Sequence, residues 1–393
     1  MQPALTQHRG IFGSTSSSAH RQDTSLFPIP PESRSLRWMT LPRVQRALVD
    51  LYGEPAPAAQ VVKLRGDAST RSYFRAYIKE PQARRPDRLI IMQLPEDAFG
   101  SDEGGAQPRG ERLPFLEVAS LLRSRGIPVP EVYAEDLDHG VVLLEDLGDV
   151  TLHDELAKRP RVQWPELYGR AIDLLAELHE RCEDLPADSI VARRRFDRAL
   201  LDWELDHFRQ WGLEALWGEL PSEARQELDA GFGRIVDAIE AMPYGFAHRD
   251  YQSKNLMVRP NGALVVLDFQ DALLGPRAYD LVALLCDSYV ALDLELQESM
   301  IDRYAALRRI DRGALHREFW WVALHRKLKD AGRFIFIDRV RKNPDFLRWF
   351  PQSLVYVGRA LQKTPQSASI RRVLADTIPG FPDHVSEPES SME

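Results

Sequence analysis

Cysteine is scarce in this sequence. Only Cys182 and Cys286 occur among 393 residues, far apart and outside any C-x-x-C pair. A disulfide framework and a structural zinc site are excluded as organising features, and a reducing cytoplasm is the expected compartment. No run of 18 apolar residues exists, so no membrane-spanning helix is expected. The N-terminal stretch lacks the apolar core of a secretory signal. Positive charge is not in excess either: 51 Lys and Arg face 59 Asp and Glu, a formal net charge of -8. That balance argues against a nucleic-acid-binding surface, and no nucleic-acid or membrane partner is expected. Internal repeats are absent.

What remains is 44% hydrophobic, enough for a sizeable core or for two lobes about a cleft. Residues 1–38 are rich in Ser, Pro and Arg and have little to bury, so they read as a disordered extension. Met39, which opens a helical pattern over 41–51, is a candidate translation start. An apolar–polar–apolar stretch from 61 to 78 reads as strand, turn, strand. Residues 88–94, RLIIMQL, form an apolar run suited to a buried strand. A Gly- and Asp-rich loop over 96–110 follows, then a helix over 111–125 stopped by Gly126 and Pro128. Two strands near 131–133 and 141–145 complete a small lobe of about five strands with one helix. Long helical patterns then dominate, over 166–183, 197–217, 222–241, 278–308, 314–330 and 344–361. A single hairpin interrupts them, with R-P-N-G as its turn at 259–262. The polar, acidic residues 384–393 read as a disordered tail.

The densest chemical signal is HRDYQSKNLMV at 248–258, followed by LDFQD at 267–271. Kinase catalytic loops carry H-R-D with a downstream Asn, then a metal-binding Asp in D-F-G. Phosphoryl transfer needs a carboxylate within reach of the attacking hydroxyl, and Asp250 is that candidate. It also needs Mg²⁺ across the triphosphate oxygens, which takes hard oxygen ligands such as Asn255 and Asp268. The bland reading, a turn cap and a solvated strand end, does not account for the strand–hairpin–strand context.

On these stretches, together with GDASTRSYFR (66–75), LLEDLGD (143–149), LDFQDALLGPRAYDLVALLCDSY (267–289) and HRKLKDAGRF (325–334), the chain resembles the aminoglycoside phosphotransferase-like kinases. Within them it is most similar to bacterial anomeric kinases of N-acetylmuramate and N-acetylglucosamine. The resemblance implies an α+β, two-lobed protein-kinase-like fold, with a β-sheet lobe over 39–147 and a larger, mainly helical lobe over 148–383. ATP and Mg²⁺ are the implied cofactors, and a sugar hydroxyl in peptidoglycan recycling is the implied acceptor. By the same resemblance Asp250 is the catalytic base, and Asn255 and Asp268 are the metal ligands. Gly66, Ser69 and Thr70 belong to the phosphate-covering turn, and Glu145 to Leu147 form the hinge whose backbone meets adenine. Asp280 is the buried residue that braces the catalytic loop.

One feature is missing. Protein kinases hold the α- and β-phosphates with a Lys on the third strand, paired with a Glu on the next helix. Met92 or Gln93 stands there instead, with Glu117 following on a helix where an exposed position is expected. Arg71 or Arg75 is the candidate replacement. For the acceptor, residues 197–240 carry eleven acidic against four basic residues, while 312–348 carry ten basic against four acidic. The basic segment suits an anionic sugar, although solvated helix faces explain both runs as well. Asp271, Trp203, Trp211 and Arg326 are the candidate substrate residues, with core packing as the alternative for the aromatics and a helix cap for Asp271. Other small-molecule kinases and a non-catalytic nucleotide-binding pseudokinase remain the competing classes.

Overall fold

A computed structural model of the chain describes residues 42–64, 71–79, 82–95, 100–101, 105–106, 113–384, 386 and 388. The expected extension, most of the acidic tail, and Gly66, Ser69 and Thr70 lie outside the described residues. The small lobe holds α1 (Pro42–Tyr52), β1 (Ala59–Lys63), β2 (Ser72–Ile78), β3 (Arg88–Gln93), β4 (Gly100–Ser101), β5 (Gly105–Ala106), α2 (Pro114–Ser124), β6 (Val132–Asp136) and β7 (Val141–Glu145). Five of these strands form one antiparallel sheet in the order β1-β2-β3-β7-β6.

The alternation of a pleated strand explains why β3 and β7 are apolar throughout. Leu89, Ile91, Val141 and Leu143 face one core, covered by Val44, Ala47, Leu48 and Leu51 at helical spacing on α1. Met92, Val142 and Leu144 face the other way and join Phe115, Leu116, Ala119 and Leu122 of α2 in the main core. The small lobe thus has two helices, one on each face of the sheet. The expected 96–110 loop contains the two-residue ladder of β4 and β5.

The larger lobe follows with α3 (Leu152–Lys158), α4 (Trp164–Arg181), α5 (Ile190–Arg193), α6 (Arg198–His207), a π-helical stretch Phe208–Glu214, α7 (Ala215–Trp217) and α8 (Ser222–Glu240). Then come β8 (Tyr244–Ala247), β9 (Leu256–Val258), β10 (Leu264–Val266) and β11 (Leu273–Pro276). The lobe closes with α9 (Tyr279–Leu285), α10 (Leu294–Arg308), α11 (Arg312–Arg341), α12 (Phe350–Lys363) and α13 (Ala368–Thr377). Among the described residues, no helix is long and apolar enough to cross a membrane.

Three helical readings differ from the structure. The expected helix over 278–308 is two, because the chain leaves helical geometry after Leu285 and α10 restarts at Asp293, whose carboxylate accepts the Leu296 N–H at 2.8 Å. The segment over 314–330 continues to Arg341 and ends at Lys342 in a left-handed conformation ahead of Pro344. The run over 197–217 widens into the π-helical stretch. Short elements escaped the periodicity reading because they offer under two turns. One is α3, although Thr151 and Asp154 form a reciprocal capping box there.

The hairpin β9–β10 sits where the lobes meet and is stitched to the linker around it. Val258 N–H donates to Val150 O at 2.8 Å and Val266 N–H to Pro128 O at 2.8 Å. Arg259 pairs with Glu145 at 2.7 Å. Phe115 of α2 stacks on Phe269 at 5.1 Å, closing the contact from the side of the sheet.

Candidate active site

The loop after β8 begins in a conformation that side chains avoid. Arg249 has φ +76° and Asp268, on the facing segment, φ +62°. Such residues persist only where their surroundings hold them, and they concentrate at working sites. Antiparallel pairing of β8 with β11 fixes the two segments together, since one strand enters the loop and the other leaves Asp268 behind. That pair was not read from the sequence, because YGFA and LLGP are four residues each and glycine-containing.

Two buried carboxylates grip the loop. Asp280 accepts the His248 N–H at 2.7 Å and the Arg249 N–H at 2.9 Å, with His179 Nε2 at 3.0 Å. Burial by itself would raise its pKa, but the His179 and His248 hydrogen bonds and charges hold it below the ordinary carboxylate value. Asp287, just past the end of α9, accepts the Ser253 N–H at 3.0 Å and the Ser253 hydroxyl at 2.5 Å. Asp280 occupies the bracing position expected for it. Asp287 was missed, and its only signal was a second acid framing the apolar run LVALLC.

From this base Asp250 presents its carboxylate, with 38% of the side chain exposed. Its backbone carbonyl accepts Asn255 Nδ2 at 2.9 Å and the Gln252 N–H at 2.8 Å. Asn255 Nδ2 also lies 3.4 Å from Asp268 Oδ2, while Gln270 Nε2 donates to Asp268 Oδ1 at 2.8 Å. The three residues singled out as base and metal ligands are therefore in one place. Gln270, standing where D-F-G has glycine, steadies the Asp268 carboxylate. Burial and then the Asp250 charge raise the Asp268 pKa, opposed by Gln270 and His248.

A divalent cation fits this donor set. The Asn255 amide turns its N–H groups inward, which leaves Oδ1 as the group to offer, and Asp268 adds a second hard oxygen. Two neighbouring carboxylates, one of them buried, are a charge imbalance that such an ion relieves. Among the described residues no set of three or more His, Cys, Asp or Glu side chains could hold a metal without a substrate's oxygens. Mg²⁺ is usually held in this way, by one or two side chains plus phosphates.

Other expected residues take different places. Met92 is buried with no exposure, so no charge at strand three meets the cleft. Arg75 is 9% exposed and committed to the hinge: it pairs with Asp146 at 2.9 Å and Asp149 at 2.8 Å and donates to Gly148 O at 3.1 Å. The guanidinium therefore holds the D-L-G-D turn rather than standing open for phosphate. Glu145 ends β7 beside Leu147, which is half-buried in the linker between lobes. Glu117 is half-buried, not exposed, and accepts the Ile190 N–H at 2.6 Å, joining α2 to the start of α5.

Of the acceptor candidates, Asp271 stays beside the site, 3.4 Å from Gln270 Nε2, and no helix begins there for it to cap. Arg326 is 1% exposed, which leaves it no surface to offer a sugar. It works from behind the loop: Nη1 donates to Arg249 O at 2.7 Å, and Nη2 stands 3.4 Å from Asp250 Oδ1. Trp203 is 46% exposed and stacks on His207, and Trp211 meets Phe336 edge-on at 5.3 Å. Phe208, the third aromatic of that stripe, is core.

Comparison with known proteins follows from this geometry. A family model described as the phosphotransferase enzyme family matches residues 60–318. An N-acetylmuramate/N-acetylglucosamine kinase of Pseudomonas aeruginosa is 32% identical over 343 residues, covering 84% of this chain and 91% of the relative. Another of that description from Neisseria meningitidis is 28% identical, covering 79% and 89%. Among solved structures, a choline/ethanolamine kinase family protein from Mesorhizobium loti superposes with a TM-score of 0.55 at 16% identity, covering 85% of this chain and 100% of that one.

Proposed function

The chain belongs to the phosphotransferase enzyme family and is a protein-kinase-like phosphotransferase acting on a hydroxyl group; from that premise we propose that it phosphorylates an amino sugar at the expense of ATP. The acceptor we infer is the anomeric hydroxyl of N-acetylmuramate or N-acetylglucosamine, in cell-wall recycling. The observation that carries the reading is the convergence of Asp250, Asn255 and Asp268 on one loop pair, in a chain 32% identical to such a kinase.

In this mechanism the Asp250 carboxylate accepts the proton of the attacking hydroxyl. The oxygen forms a bond to the γ-phosphorus as the bond to the leaving oxygen breaks, and ADP departs with that electron pair. Asn255 and Asp268 would hold Mg²⁺, which neutralises charge on the phosphate oxygens. Arg326 keeps Asp250 ionised and aimed, since a fixed guanidinium at 3.4 Å favours the charged form. The hinge from Glu145 to Leu147 receives adenine along its backbone, and the turn with Gly66, Ser69 and Thr70 covers the phosphates. Arg75 contributes by setting the hinge.

Asp250→Asn tests the assignment. Turnover of N-acetylmuramate and N-acetylglucosamine should fall by orders of magnitude while ATP affinity changes little. Retained turnover would remove Asp250 from the mechanism. Absence of turnover on both sugars in the unaltered protein would remove the amino-sugar reading.

A further inference from the structure

Beneath the catalytic loop, α6, α9 and α11 gather four cations and three carboxylates. Arg249 faces Glu204 at 3.4 Å, and Arg326 serves Arg249 O and Asp250. Lys327 donates to Asp330 at 2.8 Å and to the Ser288 hydroxyl. His325, buried with its pKa lowered by desolvation, adds no charge at neutral pH. The cluster therefore carries one excess positive charge in a chain whose formal net charge is -8.

Lys329 is the cation left over. Its Nζ stands 3.6 Å from Asp330 Oδ1, beyond hydrogen-bond length, and it meets no hydrogen-bond partner among the described residues. The side chain is 13% exposed, with the ammonium at the remaining opening. A second polar group beside it is also unmatched. Tyr279 is 1% exposed, and Arg326 lies over its ring at 5.0 Å rather than in line with its hydroxyl. That hydroxyl meets no hydrogen-bond partner among the described residues. Burial raises the Tyr279 pKa, so the group remains a donor at neutral pH. Leaving a buried donor unsatisfied is costly, and a cation next to it with no hydrogen-bonded counter-charge compounds the cost.

Both features are resolved by a single ligand group. We infer that Lys329, with the Tyr279 hydroxyl beside it, is a subsite for a carboxylate on the acceptor and discriminates an acidic amino sugar from a neutral one. A carboxylate takes a charge-assisted hydrogen bond from the ammonium and a second from the phenol, and it brings the cluster to neutrality. N-acetylmuramate carries such a group on its lactyl ether and N-acetylglucosamine does not. The subsite deepens the amino-sugar reading and rests on it.

The test compares ratios of kcat/KM, which a general loss of fold or activity does not move. Lys329→Met should lower the ratio for N-acetylmuramate over N-acetylglucosamine by about ten- to a hundredfold, the range for a charge-assisted hydrogen bond. The change should appear in KM, and Lys329→Arg should restore most of it. A ratio unchanged in Lys329→Met overturns the inference, whatever happens to the absolute rates. A probe on the unaltered enzyme covers the case of an unfolded variant: the amide of N-acetylmuramate should show a KM raised by a similar factor. An amide used as well as the acid also overturns the subsite. Turnover of neither sugar by the unaltered enzyme instead refutes the parent reading.

Discussion

Asp280 carries no chemistry, yet His248, Arg249 and His179 all converge on its carboxylate. Those donors favour its charged form, so its folded pKa lies below the unfolded value of about 3.9. Linkage then has one sign. The stabilisation is complete above the unfolded pKa and is lost as pH falls through the depressed folded one. Asp280→Asn should therefore cost about 2–3 kcal/mol at neutral pH, with the deficit shrinking below about pH 4. Urea unfolding of both proteins at the two pH values checks this, and a deficit that does not change with pH would contradict it. Because the same carboxylate fixes Arg249 at positive φ, kcat should fall as well. Identity and approximate role of such residues were readable, since H-R-D with its Asn and Asp is a fixed spacing. The burial of Arg326 was not, because a basic residue on a helix gives no sign of which face is covered.

At the scale of elements, α11 is the spine of the large lobe, and its contact with the π-helical stretch is the closest approach in it. A Cβ built on Gly332 would stand 2.7 Å from Phe208 Cα and 3.1 Å from His207 O. Those are backbone atoms, which cannot swing aside as a flexible side chain would. Gly332→Ala should thus force the helices apart and cost about 1–3 kcal/mol, read as a lower Tm. An unchanged Tm would mean that the crossing is looser than these distances. The π-helical widening that allows this approach leaves no mark in a 3.6-residue periodicity, and so 197–217 reads as plain helix. The weak amphipathic pattern of α11 has a related cause. Lys327, Asp330 and Asp338 are buried beside its apolar residues, so polarity does not separate its faces.

Across the whole molecule, the sheet is shared between two cores. One face of β3 and β7 is sealed by α1, while the other runs through α2 into the core of the helical lobe. Phe115 stacked on Phe269 makes the segment that carries Asp268 part of that continuity. Unfolding should accordingly be a single transition. None of the eight tryptophans lies in residues 39–147, so their fluorescence reports the large lobe, whereas far-UV ellipticity reports both. Coincident urea curves are expected, and two separated midpoints would show lobes that unfold independently.

The amino-acid sequence alone determined the reaction class and the division into a sheet lobe and a helical lobe. Both follow from local pattern: residue types at fixed spacing, and hydrophobic periods of two and 3.6. Only the tertiary structure decided that Arg75 belongs to the hinge, that Asp287 is the second grip on the loop, and that Lys329 keeps an uncommitted charge. Those facts depend on which distant groups share a buried volume. Burial is what turns a charge from a solvated detail into a constraint that must be met.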